Sequence, residues 1–233
     1  MESIKNRYES PDDGQGPFFV AVAKANFDFQ QSFQVDDPKV TGRQLLEAAG
    51  FRPPEEHLLF QVLDSGVLEE RRLDETVELC EKETERFIVF KSDRSFRVEI
   101  DGQRFEWGAP ELTGLIAKQM VGADPACIGI WLERRDEPDL FIRDNDIVKL
   151  GTKGVEKLRT GPVFPLWIED KEFQWFEQTI TTKQIAELGG WDPSQGVQQI
   201  DLTTNEARTL KPDEVVDLKD LKRFAKKIGW QRG

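Results

Sequence analysis

Three stretches of the chain alternate apolar and polar residues and then turn back on themselves. In FRVEIDGQRFEW, residues 96–107, the alternation runs into Asp101-Gly102, a pair that favours the two-residue turn of a β-hairpin. FPLWIEDKEFQWF, residues 164–176, repeats the pattern around Asp170-Lys171, with no glycine to ease the turn. FFVAVAKANFDFQQSFQV, residues 18–35, is the first copy, and its longer turn falls near Lys24 to Asn26.

After each hairpin the period changes from two to that of a helix. VTGRQLLEAAGF, LTGLIAKQMVGA and TTKQIAELGGWD carry apolar residues at helical spacing: Leu45, Leu46 and Ala49; Leu115, Ile116 and Met120; Ile185, Ala186 and Leu188. Each opens on a threonine able to accept from the free N–H groups of a first turn: Thr41, Thr113, and Thr181 or Thr182. Gly50, Gly122 and Gly189 are the expected stops.

A second landmark comes later, in DETVELCEKETERF, DNDIVKLGTKGVEKL and PDEVVDLKDLKRF. Each has an acidic turn, a short alternation ending on Leu79, Leu150 or Leu218, and then an apolar position at Phe87, Leu158 or Phe224. The threonines Thr41, Thr113 and Thr182 are spaced by 72 and 69 residues, and the leucines by 71 and 68. Two independent landmarks moving together identify a repeat of about seventy residues.

Two strands, a short helix and two further strands can enclose one small core, with the helix lying on one face of the sheet. About seventy residues is near the lower limit for such a domain without metals or disulfides. The expected class is therefore α+β, as three tandem domains at 17–92, 93–161 and 162–233, behind a flexible arm at 1–16. Linkers are expected near 92–95 and 160–163.

Charge and composition narrow the function. The chain carries 44 acidic and 32 basic residues, a net charge of −12, which disfavours nucleic acid as a partner. The excess is uneven: residues 17–92 hold 15 acids and 9 bases, and each later domain is only two charges negative. No apolar run is long enough to cross a bilayer, and MESIKNRYESPDDGQGP lacks the apolar core of a signal, so a cytoplasmic location is expected and no membrane partner. Cys80 and Cys127 stand in unrelated contexts and are expected as small buried hydrophobes. The single histidine, His57, is expected at a loop-to-strand junction. No phosphate loop, metalloprotease or serine-hydrolase motif is present, so neither enzyme activity nor a cofactor or metal is expected.

The order of elements resembles the β-grasp fold of ubiquitin. The IDG hairpin, the TGxxLLxxAG helix and the acidic turn before the last strand resemble bacterial multiubiquitin-domain proteins, over roughly residues 17–233. That resemblance implies a protein modifier whose C-terminal glycine is adenylated, passed to a thiol and joined to an amine. It also implies three partners: an activating enzyme, a conjugating enzyme and a JAB-type metallopeptidase. A role in bacterial antiviral defence belongs to the same expectation.

The tail IGWQRG matches that chemistry in its last residue, Gly233, which has no Cβ to obstruct entry into a narrow active site. Before it, Arg223, Lys226, Lys227 and Arg232 form a basic stretch that an acidic surface on an activating enzyme would recognise. The alternative is a non-covalent scaffold or homo-oligomer built through edge strands, whose lysines only prevent edge pairing. Among Trp131, Trp167, Trp175 and Trp191, the alternation makes Trp167 and Trp175 core residues.

Overall fold

The computed structural model describes residues 17–81, 83–151 and 154–227. The architecture is α+β: three repeated mixed sheets, each accompanied by one short helix, as three tandem β-grasp units require. The first repeat comprises β1 (Phe18–Lys24), β2 (Gln31–Val35), β3 (Lys39–Thr41), α1 (Gly42–Ala48), β4 (His57–Val62), β5 (Leu68–Arg71), β6 (Thr76–Glu78) and β7 (Thr84–Lys91). The second comprises β8 (Phe96–Ile100), β9 (Gln103–Trp107), β10 (Glu111–Thr113), α2 (Gly114–Met120), β11 (Ile128–Leu132), β12 (Leu140–Ile142), β13 (Ile147–Lys149) and β14 (Glu156–Pro162). The third comprises β15 (Phe164–Ile168), β16 (Lys171–Trp175), β17 (Thr179–Thr181), α3 (Thr182–Gly189), β18 (Val197–Ile200), β19 (Ala207–Thr209), β20 (Val215–Asp217) and β21 (Lys222–Lys226).

The same sheet recurs. Its strand order is β2-β1-β7-β4-β5 in the first repeat, β12-β11-β14-β8-β9 in the second and β16-β15-β21-β18-β19 in the third. In the first and third the initial strand runs parallel to the final one, Val22 opposite Phe87 and Ile168 opposite Phe224. A two-stranded ladder, β3-β6, β10-β13 or β17-β20, ties the start of each helix to the acidic turn.

Local chemistry sets these elements. Asp101 and Gly102 have φ of 50° and 79°, the left-handed pair that a two-residue hairpin needs. In the third repeat the turn sits one residue earlier than expected, at Glu169-Asp170, because Ile168 pairs with Lys171 and Glu169 takes φ 53°. Thr41, Thr113 and Thr181 each cap their helix, and Gln44 and Gln184 return the bond to the cap N–H at 2.8 Å. Thr181 is therefore the cap of the third helix and Thr182 its first residue. That helix stops at Gly190, φ 77°, not Gly189. Gly189 serves close approach instead: a Cβ there would lie 1.8 Å from the Trp191 ring.

The first helix residue meets the acidic-turn loop in every repeat. A Cβ on Gly42 would lie 2.5 Å from the Arg72 carbonyl oxygen, and one on Gly114 2.3 Å from that of Arg143. In the third repeat Thr182 takes this place, and its hydroxyl lies 3.0 Å from the Lys211 carbonyl and 3.2 Å from that of Glu214, to which it can donate.

Two turns of helix are marginal alone, so packing holds them. Leu45, Leu46 and Ala49 of the first repeat lie against Val20, Val22, Leu59, Phe87 and Val89, all buried. Ile185 and Ala186 do the same against Leu166, Ile168, Val197 and Phe224. Each large side chain of this kind contributes about 1.5–3 kcal/mol on burial. Leu79, Leu150 and Leu218 are buried as the repeat pattern requires.

The expectations of buried cysteines and of Trp167 as a core residue need correction. Cys80 and Cys127 are both exposed: Leu79 and Ile128–Leu132 supply the inward residues beside them, so the thiols fall in loops. Trp167 is half-buried on the face of β15 away from the helix, because its neighbours Leu166 and Ile168 fill the core. Trp175, also half-buried, packs on the core edge, with its indole N–H donated to the Thr179 carbonyl at 2.9 Å. His57 stands where expected, opening β4, with Nδ1 2.9 Å from the Pro53 carbonyl oxygen.

The contacts divide the chain into two compact units, and the division runs through the second repeat. One unit takes the residues up to Val98 with Arg104–Leu112 and Lys149–Val155; the other takes Glu99–Gln103, Thr113–Val148 and the residues from Glu156 onward. In the first, the Trp107 ring meets Phe90 edge-on at 4.6 Å and stacks on Phe27 at 6.1 Å, leaving Trp107 fully buried. In the second, Phe176 meets Trp131 at 5.5 Å and Phe141 at 4.9 Å, and Arg159 lies over the Trp131 ring at 4.8 Å. Between β7 and β8 lie residues 92–95, whereas only Val163, 3% exposed, separates β14 from β15.

Candidate functional site

The sequence points to the carboxyl end, and β21 delivers it. This strand lies inside the third sheet between β15 and β18, with Phe224 fully buried at its centre. Glu169, in the hairpin turn, grips it twice: its N–H donates to the Phe224 carbonyl at 2.8 Å, and its carboxylate accepts from the Lys226 N–H at 2.7 Å. The Lys227 N–H donates to the Gly196 carbonyl at 3.2 Å. The chain is thus held by backbone bonds as far as Lys227.

These bonds separate the four basic residues into two groups. Arg223 and Lys226 belong to the sheet, and Lys227 is exposed at its end; Arg232 and Gly233 lie outside the described residues, as does the arm at 1–16. Arg223 donates to Asp170 at 3.1 Å across the sheet surface, while its Nε is buried without a hydrogen-bond partner. Lys222 lies 3.7 Å from Asp220 and Lys219 3.8 Å from Asp217. Such pairs near the surface contribute little to stability; Lys219 is exposed, whereas Lys222 is half-buried against the sheet.

Glu169 and Gly196 are not legible as site residues in the sequence. The signal for Glu169 is its place in a hairpin turn, where a non-glycine residue at positive φ has its N–H and side chain turned toward the neighbouring strand. Gly196 has φ 79°, and its carbonyl position depends on that conformation. Neither is visible in an apolar–polar pattern.

Carboxylates elsewhere in this repeat are fixed by backbone donors. The N–H of Lys219, with Gln178 and the nearby lysines, holds the Asp217 carboxyl below its ordinary range. Thr204 and Thr203 do the same for Asp201, and Lys211 with Arg208 for Glu214. Around them lie two surface depressions. One, about 480 Å³, sits between the start of α3, the turn at Pro193–Gly196 and the Thr209–Asp213 segment, with Lys227 at its edge. The other, about 330 Å³, is lined by Trp167, Asp170, Leu202, Leu221 and Arg223. Among the described residues no three His, Cys, Asp or Glu side chains converge as metal ligands, and no helix is long and apolar enough to cross a membrane.

The family model for multiubiquitin matches residues 30–92 and again 96–162, covering more than half of the chain. The chain belongs to the multiubiquitin family. No curated protein matches it. The matched spans are the first two repeats; the third has the same sheet order, cap and ladder. A multiubiquitin protein of this build is a tandem array of ubiquitin-like domains, and β21 is the last strand of its third sheet.

Proposed function

We propose that this multiubiquitin protein is a modifier, made of ubiquitin-like domains at 17–92, 93–161 and 162–233 and conjugated through the carboxylate of Gly233. An activating enzyme joins that carboxylate to the α-phosphate of ATP, giving an acyl-adenylate and releasing pyrophosphate. A cysteine thiolate then displaces AMP to give a thioester, and an amine of the target displaces the thiol to give an amide. A conjugating enzyme carries the intermediate step, and a JAB-type metallopeptidase reverses the last bond. The proposal places all of this in the cytoplasm.

One observation carries the reading. In a family of ubiquitin-like repeats, the third sheet holds the chain firmly to Lys227, and the residues beyond it in sequence, IGWQRG, reach Gly233. Six residues span roughly 20 Å when extended, enough to enter a recessed active site. The exposed Lys226 and Lys227 flank the point of departure, where an acidic enzyme surface would guide encounter.

The test uses a ubiquitin-activating-like enzyme from the same genome. Intact mass of the cellular protein establishes whether its end is Gly233, and a thiol-reducible adduct reports charging. Deletion of Gly233 is expected to abolish the adduct without changing the fold, since it removes the reacting carboxylate from a terminus. Arg232→Glu is expected to slow charging in a salt-dependent way. A deletion variant charged as well as wild type overturns the proposal.

A further inference from the structure

We propose that the third repeat of one copy docks on the first repeat of another, with Lys227 meeting Asp36, so that copies of this chain associate head to tail. Such a contact repeats between chains what the fold already does within one. In each compact unit a later repeat offers the residue just after its second hairpin strand, Gly108 or Phe176, to the outer sheet face of the repeat before it. That face carries Phe60 and Phe90 in the first repeat, and Trp131 and Gly161 in the second.

Both sides of this contact can be placed in every repeat. Leu79, Leu150 and Leu218 donate their N–H groups to the carbonyls of Pro38, Pro110 and Gln178 at 2.8, 2.7 and 2.8 Å. Two residues before those carbonyls stand Asp36, Gly108 and Phe176. On the other side, three residues after the buried Phe87, Leu158 and Phe224, stand Phe90, Gly161 and Lys227. Inside the chain Phe90 meets Gly108, and Phe176 packs on the Trp131 ring that covers Gly161. The two positions left over are Lys227 and Asp36, and their charges are opposite.

Both residues are exposed, as are their neighbours Lys226 and Asp37. The carboxylates nearest the lysines are already engaged: Glu169 accepts from the Lys226 N–H, and Asp170 pairs with Arg223 at 3.1 Å. Asp36 accepts from the Gln34 amide through Oδ1 at 3.1 Å, which leaves Oδ2 for a partner. The wider charge agrees in sign. Residues 17–92 hold 15 acids and 9 bases, so one first repeat repels another and attracts the lysines at the end of β21. That asymmetry selects a heterologous contact, which either closes into a ring or continues from copy to copy. Exposed ion pairs hold little by themselves, and the half-buried Val35, Gln198 and Ala225 stand where the internal contacts use mostly larger side chains. The association is therefore weak, and charge sets its direction. No step of it needs the Gly233 carboxylate, so it is independent of the conjugation reading.

Sedimentation equilibrium of the full chain reads the contact, with a reductant present because Cys80 and Cys127 are exposed. Wild type at roughly 0.5 mM and low salt is expected to exceed the monomer mass, and about 0.5 M NaCl to reverse this. Asp36→Lys or Lys227→Asp alone places like charges across the contact and is expected to weaken association at least roughly tenfold. A mixture of the two single variants restores opposite charges at every contact, as does the double variant, so both should associate as wild type does. A local folding defect in either variant cannot produce that rescue. Wild type that stays monomeric, single variants that associate undiminished, or a mixture that stays monomeric overturns the proposal.

Discussion

The two places where one repeat touches the next use corresponding positions in opposite ways. Phe90 lies three residues after the core residue Phe87, and Gly161 three after the equivalent Leu158; Gly108 comes directly after Trp107, and Phe176 directly after the equivalent Trp175. In the first contact the earlier repeat supplies the large side chain and the later one the glycine: a Cβ on Gly108 would lie 2.4 Å from the Phe90 ring. In the second the glycine comes first: Trp131 lies over Gly161, where a Cβ would be 2.9 Å from its ring, and Phe176 packs from the later repeat. What is kept is the filled volume, since a close-packed contact tolerates neither two bulky groups nor a void. The third repeat carries the half-buried Gln198 and Ala225 and the exposed Lys227 on the corresponding face, where the equivalents of Phe90 and Gly161 stand in the earlier repeats.

The most demanding test of this contrast is a double-mutant cycle in the first contact. Phe90→Ala is expected to cost about 3–5 kcal/mol in denaturant unfolding, because the ring is 2% exposed and also meets Phe60 edge-on at 5.5 Å. Gly108→Ala alone should cost about 1–3 kcal/mol by crowding the Phe90 ring. With both changes the second penalty should largely vanish, a coupling of about 1–2 kcal/mol. Additive losses would mean that the glycine is not there for the phenylalanine.

The helix starts offer a parallel contrast of smaller size. Gly114→Ala forces a Cβ against a backbone oxygen and is expected to cost about 1–3 kcal/mol. Thr182→Ala, which removes only a hydroxyl donor to the same kind of loop, should cost about 1 kcal/mol. Smaller again, Phe176→Ala should cost about 1 kcal/mol or less, because its ring is 46% exposed. Trp131 fluorescence should report this change, and a loss as large as that of Phe90→Ala would make the two contacts energetic equals.

Acid should separate the contacts by sign. Beside the first, desolvation and then the Glu106 charge raise the pKa of Glu70. Its folded form therefore holds the proton more tightly, and its contribution is favourable only below the unfolded value and lost as pH rises. Glu70→Gln should stabilise slightly at pH 7, with the gain fading as pH falls through the raised folded value and essentially gone below the ordinary value of about 4.5. Beside the second, the Arg159 guanidinium lowers the pKa of Asp139. That contribution is present above the unfolded value and lost as pH falls through the lower folded one, so Asp139→Asn should weaken the protein at pH 7 and progressively less as pH falls below about 3.8. Denaturant midpoints across pH 3–7 check both; slopes of the same sign would contradict the assignment.

Short-range chemistry accounts for what was legible in the sequence alone. A threonine can cap only the helix that begins beside it, and Asp101-Gly102 can form its turn without reference to the rest of the chain. Helical spacing made Leu45, Leu46, Ile185 and Ala186 legible as companions on one face, whereas the alternation along β15 points to the wrong face, making Trp167 core where Leu166 and Ile168 fill it. Spacing of the caps and leucines then gave three repeats and the α+β class. Alternation does not say what lies beyond each face. Trp131 and Trp167 both stand on the outer side of a strand; Phe176 covers the first, and only a shallow depression adjoins the second. The exposure of Cys80 and Cys127 depended on which neighbours took the inward positions. At the candidate site, Gly233 and the basic residues were legible as types, but the grip of Glu169 on β21 required the hairpin turn to meet a strand more than fifty residues away. Contacts of that kind depend on complementary volumes and donors distant in sequence, and only the folded chain brings them together.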